Sequence, residues 1–141
     1  MNVPEQSLHS KMMQIILSKW ISYPVSLVAR LGIPDLLADG PKSIDQLARE
    51  TRTHQGSLYR IMRALTAVDL FQEEKGKAVE EIGDRLFTLT PFGECLKSDG
   101  LRYQAMMFHS RWHDQAWSHL EHAVRTGEPA FDHAFGMSTF D

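Results

Sequence analysis

Two histidines, His109 and His113, are the residues best placed to do chemistry, because both fall within an apolar stripe of a predicted helix. The helix is predicted over Leu101–Arg125, and at about 100° per residue the two rings share one face. That face also contains Ala105, Met106, Phe108, Trp112, Ala116, Trp117, Leu120, Ala123 and Val124. Imidazoles in such surroundings cost desolvation free energy unless they find hydrogen-bond partners or a ligand.

Three interpretations of this histidine pair stay open. The two rings can be core side chains that bond to the backbone, or polar points in an aromatic-walled ligand pocket. Histidines four residues apart can also chelate a metal, but no third ligand is evident, since His119, His122 and Asp114 point elsewhere. We therefore expect no metal site on this face.

Motifs for a cofactor or a covalent intermediate are absent from the sequence. The nine glycines include no G-x-G pair, so no loop is present to hold a dinucleotide or an adenosyl group. Neither a P-loop nor a nucleophile elbow occurs. Cys95 lies beside Phe92 and Leu96 and is expected to be a buried structural thiol. The sequence thus predicts no catalytic, cofactor-binding or metal-binding residue.

The stretch Ser43–Leu70 predicts two short helices that meet at a tight turn. Ser43 and Gln46 have the spacing of a capping box, and Thr53 is the predicted cap of the second helix. The second helix has apolar residues at helical spacing, namely Leu58, Ile61, Met62, Leu65 and Val68. Two such helices need a preceding helix and a covering strand pair to bury their faces, which predicts a winged-helix arrangement.

The first predicted helix, Ser7–Ile21, follows a flexible segment at residues 1–6 and has an apolar surface wider than one stripe. The candidate interface residues on this helix are Leu8, Met12, Ile15, Ile16 and Trp20. This surface can pack on its own chain, but burial against another subunit is the favoured interpretation. A second helix, Tyr23–Leu37, should kink or restart at Pro34.

The remainder of the chain predicts a wing and a C-terminal helical segment. Residues Phe71–Leu89 predict a small two-stranded wing, whose connection Gly76–Asp84 is longer than a tight hairpin requires. Thr90 then caps a short helix, and the long C-terminal helix follows. The predicted fold class is therefore mainly α, with a winged-helix-like domain at residues 7–98 and a linker helix and tail at residues 101–141.

Charge argues against a nucleic-acid partner. The formal net charge is -3 and the pI is near 6.1, whereas DNA-binding domains are usually basic. The second turn helix offers possible DNA contacts at His54, Gln55, Ser57, Arg60 and Arg63. An acidic wing would be repelled by phosphate, and these arginines are expected to pair with nearby carboxylates. The absence of a bilayer-length apolar run and of an apolar signal core predicts a cytoplasmic chain with no membrane partner.

Four sequence strings occur in an order typical of one enzyme family: LGIPDLL, LYRIMRAL, LTPFGECL and the W-x-x-L…TGEPAF run. Together they resemble the N-terminal region of bacterial and plant-type S-adenosylmethionine-dependent O-methyltransferases, from about Leu8 to the end of the chain. The resemblance implies an all-helical, winged-helix-like dimerisation domain whose helices swap around a two-fold axis. It also implies a homodimer in which the first helix can reach the partner's substrate pocket.

In that family a Rossmann-like catalytic domain follows directly, with the cofactor loop and commonly a histidine base. The resemblance therefore implies S-adenosylmethionine as cofactor of the full enzyme, with none bound by this chain and no activity from it alone. It implies a small aromatic or polyketide-like acceptor, held in a pocket shared with that missing domain. Candidate pocket residues, by their match to the family's pocket helix, are Met106, Phe108, His109, Trp112, His113 and Trp117.

Two alternatives stay open on the sequence. One is a freestanding winged-helix regulator that binds DNA, which steep salt-dependent DNA binding would favour. The other is a small-ligand binding module built around Trp112 and Trp117, which would require that an aromatic ligand change the tryptophan fluorescence.

Overall fold

The computed structural model describes residues 7–74 and 81–138. Its α-helices are α1 (Leu8–Ile16), α2 (Lys19–Arg30), α3 (Ile33–Leu36), α4 (Ile44–Thr51), α5 (Gln55–Thr66), α6 (Pro91–Glu94), α7 (Arg102–Phe108), α8 (Arg111–Ser118), α9 (Leu120–Thr126) and α10 (Ala130–Phe135). The strands are β1 (Lys42–Ser43), β2 (Phe71–Glu73) and β3 (Leu86–Leu89), with a short 3-10 turn at Ile82–Asp84. The predicted flexible segment 1–6 and residues 76–80 of the predicted wing connection lie outside the described residues.

Helices α4 and α5 form the turn motif predicted from the sequence. The capping box is confirmed: Gln46 N donates to Ser43 Oγ at 3.2 Å, and Ser43 N donates to Gln46 Oε1 at 2.9 Å. The predicted second cap is wrong, because His54 rather than Thr53 precedes α5 and its Nδ1 accepts from Ser57 N at 3.3 Å. The Thr53 hydroxyl instead pairs with that of a neighbouring threonine at 2.9 Å.

The core lies where α2–α5 meet the sheet. Its largest fully buried side chains are Phe71, Phe87, Ile33, Ile44, Leu47, Met62, Leu65 and Val28. The apolar spacing predicted for α5 is confirmed, since Leu58, Met62 and Leu65 are buried while Ile61 and Val68 pack against them, partly covered. Removal of these side chains from water, at about 25 cal/mol per Å², is the main force that holds the short helices together.

The sheet has three antiparallel strands in the order β1-β3-β2, so the predicted two-stranded wing gains a third strand. Phe71 pairs with Leu89 across β2 and β3, and Lys42 pairs with Phe87 across β1 and β3. The third strand was missed because two residues are too few to show an alternating pattern. It leads directly into α4 and so ties the wing to the turn motif.

Two further local predictions are confirmed. Thr90 caps α6: its Oγ1 accepts from Gly93 N at 2.9 Å and donates to Leu70 O at 3.1 Å. Gly93 is required there, because an added Cβ would clash with the Leu70 carbonyl oxygen. Pro34 occupies the first turn of α3, which restarts after Gly32 adopts a φ of 70°.

The first predicted helix is divided in the structure. Helix α1 ends at Ile16 and α2 begins at Lys19, so the break lies earlier than predicted. The connection is a tight turn in which Ser18 N donates to Ile15 O at 3.2 Å and Ile21 N donates to Ser18 O at 3.1 Å. Within the described ranges the longest helices have 12 residues, and none combines the length and apolarity that a bilayer span requires.

The prediction of one long C-terminal helix over Leu101–Arg125 is wrong, since this segment forms α7, α8 and α9. Ser110 has extended backbone and caps α8, with its Oγ accepting from His113 N at 3.5 Å. At the second break Ser118 Oγ donates to Gln115 O at 2.6 Å, a back-bond that favours helix bending. The tail adds α10, which the sequence did not predict.

Candidate functional site

The candidate interface residues form what we call the N-terminal apolar face, consisting of Leu8, Met12, Ile15, Ile16 and Trp20. All five are exposed in the single chain, with Leu8 at 82% and Trp20 at 72% of their full accessible surface. Helix α1 contains no buried residue, although about half of its side chains are large and apolar. On α1, Leu8, Met12, Ile15 and Ile16 recur at helical spacing and share one side of the helix, and an exposed apolar side of this kind is typical of an interaction surface.

Beside the N-terminal apolar face, an open groove runs between α2 and α7. One part has a volume of about 420 Å³ and the adjoining part about 480 Å³. The two parts share the side chains of Ile21, Val25, Ala105 and Phe108. The lining is almost entirely apolar, so this groove (the α2/α7 groove) suits an apolar ligand or an apolar helix face.

Cys95 lies at the rim of the α2/α7 groove rather than in the core. It is exposed, contrary to the expected buried thiol. The reason is that α6 has a single turn, and its buried side is taken by Gly93 and the adjoining Leu96.

His109 lies at the end of α7, where it contacts α2. Its ring centroid is 4.5 Å from that of Tyr23, and it lines the larger part of the α2/α7 groove. Its Nδ1 is buried, with no hydrogen-bond partner among the described residues. A hydrogen bond to Asp114, supported by burial and by the carboxylate charge, raises the pKa of Tyr23. The junction of α2, α7 and α8 thus places one phenol, one imidazole and one carboxylate beside an apolar groove.

His113 is separated from His109 by the helix break. Its Nδ1 lies 3.1 Å from Ser110 Oγ, and its ring contacts Phe108 edge-on at a centroid distance of 5.7 Å. The predicted common face of the two histidines depended on a continuous helix, which the cap at Ser110 interrupts. His113 therefore bonds to a side-chain hydroxyl of its own helix, whereas the core interpretation expected a backbone partner.

The six predicted pocket residues do not form one cluster. Phe108 and His109 line the α2/α7 groove, while Met106 packs partly buried against the core. Trp112 stacks on Phe131 and Phe135 of α10, at centroid distances of 6.0 and 5.0 Å. The remaining two, His113 and Trp117, lie on α8, and Trp117 is exposed.

The aromatic cluster of Trp112, Phe131 and Phe135 was missed in part by sequence reasoning. Phe131 and Phe135 lie four residues apart and contact each other at 4.6 Å, so they share one face of α10. Pro129 before this pair and Gly136 after it are ordinary helix-boundary signals that could have revealed the helix. Trp112 remains 57% exposed, so the cluster presents an aromatic surface to its surroundings.

The predicted DNA-reading helix, α5, has its cations engaged within the chain. Arg63 lies 4.0 Å from Glu73, and Arg85 of the wing lies 3.5 Å from the same carboxylate. Arg60 donates to Ser57 Oγ at 3.2 Å. The predicted pairing with carboxylates is thus confirmed for Arg63, and Arg60 bonds a hydroxyl instead.

A different set of side chains could hold a metal ion. His122, Glu128 and His133 bring potential ligand atoms within 4.8 Å of one another, at the turn between α9 and α10. This set lies on other helices than the His109–His113 pair, and its members are brought together by a turn that the sequence did not predict.

The fold is that of a winged-helix-like module with exposed apolar side chains. Comparison with known proteins identifies its family. The profile of the O-methyltransferase dimerisation domain matches residues 13–99. The chain therefore belongs to the O-methyltransferase dimerisation-domain family, which confirms the resemblance read from the sequence.

Individual relatives agree with this assignment. The chain is 36% identical over 137 residues to phenazine O-methyltransferase PhzM of Lysobacter antibioticus, and 33% identical over 132 residues to mitomycin biosynthesis 6-O-methyltransferase of Streptomyces lavendulae. These matches cover 94% and 88% of this chain but only 37% and 34% of the relatives. The chain thus spans little more than a third of the curated relatives that it matches.

Solved structures confirm the fold. The crystal structure of LaPhzM matches with a TM-score of 0.82 at 35% identity, covering 96% of this chain and 39% of that one. The crystal structure of N,N-8-amino-8-demethyl-D-riboflavin dimethyltransferase (RosA) from Streptomyces davawensis matches with a TM-score of 0.81 at 30% identity, covering 96% of this chain and 39% of that one. The predicted mainly helical, winged-helix-like dimerisation fold is therefore confirmed.

Proposed function

We propose that this chain is the dimerisation and substrate-capping portion of an S-adenosylmethionine-dependent O-methyltransferase that acts on a small aromatic or polyketide-like acceptor. Family membership supports the reaction class. The relatives support an aromatic acceptor, since they include a phenazine, a hydroxybenzoate and a naphthoate methyltransferase. Methyl-donor binding is assigned to a Rossmann-like domain outside these 141 residues, because relatives are about three times longer.

The proposed working unit is a homodimer joined through the N-terminal apolar face. The single observation that carries this proposal is the exposure of that face, in a chain whose family is defined by dimerisation. The lining of the α2/α7 groove includes Ser18 and Ile21, which follow α1 in the chain. In this arrangement residues 7–98 form the dimerisation domain, and residues 101–141 link it to the catalytic part.

Sedimentation equilibrium of the purified chain tests the dimer. We expect a dimer at micromolar concentration, and we expect Trp20→Asp to raise the dissociation constant at least about tenfold, because it places a charge in a buried apolar face. Ile82→Asp is the matched control, because Ile82 is an exposed apolar residue of the wing, and this substitution should leave the dissociation constant unchanged. A wild-type monomer at high micromolar concentration would contradict the proposal.

Substrate capping is assigned to the α2/α7 groove and to the neighbouring aromatic surface of α8 and α10. A planar aromatic acceptor would stack on Trp112, because offset stacking of rings is favourable by about 0.5–1.5 kcal/mol beyond the area buried. Titration with a hydroxylated phenazine should quench tryptophan fluorescence in the wild type and lose most of that quenching in Trp112→Phe. Equal quenching in both proteins would contradict this assignment.

The methyl donor is expected not to bind this chain by itself, because no glycine-rich loop is present to hold an adenosyl group. Calorimetric titration with S-adenosylmethionine should therefore give no heat of binding above dilution. Micromolar affinity would refute the assignment of methyl-donor binding to another domain. The cytoplasmic location stays a prediction from the sequence. The DNA-binding alternative is less well supported, because Arg63 of α5 pairs with Glu73 and Arg60 bonds Ser57 Oγ within the described residues.

A further inference from the structure

The turn between α9 and α10 brings together two imidazoles and a carboxylate that the proposed function does not use. His122 of α9 has its Nε2 2.9 Å from Glu128 Oε2 in the turn. The His122 ring stacks on that of His133 in α10, with centroids 3.6 Å apart and planes 18° apart. One ligand atom from each of the three residues lies within 4.8 Å of the other two.

The backbone of this turn is held by its own hydrogen bonds. Thr126 Oγ1 donates to His122 O at 2.9 Å and accepts from Glu128 N at 3.1 Å. Gly127 adopts a φ of 79°, a left-handed conformation that suits glycine and reverses the chain. His133 N then donates to Pro129 O at 3.2 Å in the first turn of α10. The three side chains therefore project from a fixed backbone.

We infer that this turn is a binding site for a divalent transition metal ion of the zinc class. Two imidazole nitrogens and one carboxylate oxygen form a donor set that zinc prefers, with a fourth position left for water. Ligands on one tetrahedral zinc ion lie about 3.4 Å apart, given metal–ligand distances near 2.1 Å. Separations of 2.9 Å and up to 4.8 Å bracket that value. The nitrogen lone pairs lie in the ring planes, so the stacked rings of His122 and His133 must rotate out of their stack to point at one ion.

The surroundings of the three ligands permit that rotation and allow an ion to enter. Glu128 and His133 are exposed, and the Glu128 side chain retains 67% of its accessible surface. His122 is half-buried and so keeps one ligand in place.

The consequence of binding would be a cross-link between α9 and α10. Neither helix contains a buried residue, and the phenylalanines of α10 stack on Trp112 of α8, so a bound ion would add a direct tie between α9 and α10. An ion that binds the folded turn and not the unfolded chain stabilises the folded form in proportion to its saturation. The site would therefore stiffen the segment that, in the proposed function, leads to the catalytic part.

The test is a calorimetric titration of zinc into protein that has no histidine tag and has been treated with a chelator. We expect one ion per chain with micromolar or tighter affinity, and at least about a tenfold loss of affinity in His122→Gln and in His133→Gln. His9→Gln is the matched control, because His9 is an exposed histidine on α1 and should leave the affinity unchanged. Circular dichroism checks that each variant is folded.

Hydrogen exchange gives a second readout. Zinc should slow amide exchange across residues 120–135 of the wild type. It should leave the exchange rates of the same residues in His133→Gln unchanged. Cobalt in place of zinc should give the visible absorption of a tetrahedral site. The inference is overturned if zinc binding is not saturable, or if His133→Gln binds zinc as tightly as the wild type.

Discussion

The middle of the chain and its two flanks differ in how they use apolar residues. Within the described residues, the fully buried core lies between Val28 and Leu96, whereas α1 and α7–α10 contain no buried residue at all. Yet the flanks are not polar, since Leu8, Ile15, Phe108 and Trp117 are among their exposed side chains. Such exposed apolar area costs free energy unless another surface covers it.

This difference separates two kinds of region. The middle buries its own core, while the flanks leave large apolar side chains uncovered within the described residues. In the proposed function, a second copy of the chain and the catalytic part cover them. The metal site inferred at the turn between α9 and α10 would add a local tie where apolar burial is lacking.

The largest effect is expected from a matched pair of side-chain truncations, one in the middle and one in a flank. Phe87→Ala removes a fully buried ring and should lower the free energy of unfolding by about 3–5 kcal/mol. Ile15→Ala removes a side chain that is 70% exposed and should change the free energy of unfolding by less than about 0.5 kcal/mol under monomeric conditions. Urea denaturation at low protein concentration measures both. Equal losses would break the distinction between the middle and the flank.

An intermediate effect is expected at the junction of the middle with α7. Asp35 Oδ1 accepts from Ser98 N at 3.0 Å and from Ser98 Oγ at 2.6 Å, and Arg102 of α7 lies 3.6 Å from Oδ2. Burial alone would raise the pKa of Asp35, but these hydrogen bonds and the charges of Arg102 and Lys97 outweigh it and lower the pKa. We expect Asp35→Asn to cost about 1.5–3 kcal/mol near neutral pH.

The sign of the pH dependence follows from that lowered pKa. The stabilisation is fully present above the ordinary aspartate pKa of about 3.9 and is lost as the pH falls through the lower folded-state pKa. The difference in unfolding free energy between wild type and Asp35→Asn should therefore shrink as the pH is lowered from 6 to 3. A difference that stays constant over this range would show that the carboxylate charge is not responsible.

The smallest expected effect compares two serine caps. Ser43→Ala removes the capping box of α4 within the middle and should lower the global stability by about 1 kcal/mol. Ser110→Ala removes the same kind of cap from α8 in the flank. It should speed amide exchange in α8 without changing the global unfolding midpoint, because α8 opens independently of the core. A matching global loss in both variants would show that the flank unfolds with the middle.

Much of the middle could be predicted because its signals are local. The capping box at Ser43, the restart at Pro34 and the cap at Thr90 each involve groups within a few residues. The apolar spacing of α5 identified the face that meets the core. The wing was predicted with two strands, and its third strand required knowledge of which distant backbone lies beside Leu86–Leu89.

The candidate site was harder to predict because it depends on how helices are oriented after each break. A continuous helix would place His109 and His113 on one face, but the cap at Ser110 redirects α8 and separates them. The aromatic cluster of Trp112 with α10 likewise joins residues 19 and 23 positions apart. No pattern in the sequence predicts contact between residues so far apart in the chain.

The sequence by itself determined the family, the winged-helix middle and the apolar character of the N-terminal face, since motif order, capping and periodicity are properties of neighbouring residues. Only the tertiary structure decided where the long helices end, which side chains line the α2/α7 groove, and that His122, Glu128 and His133 meet. The physical reason is that a turn of a few residues sets the direction of everything after it. Small local differences in hydrogen bonding therefore select among helix arrangements that the same apolar pattern would permit.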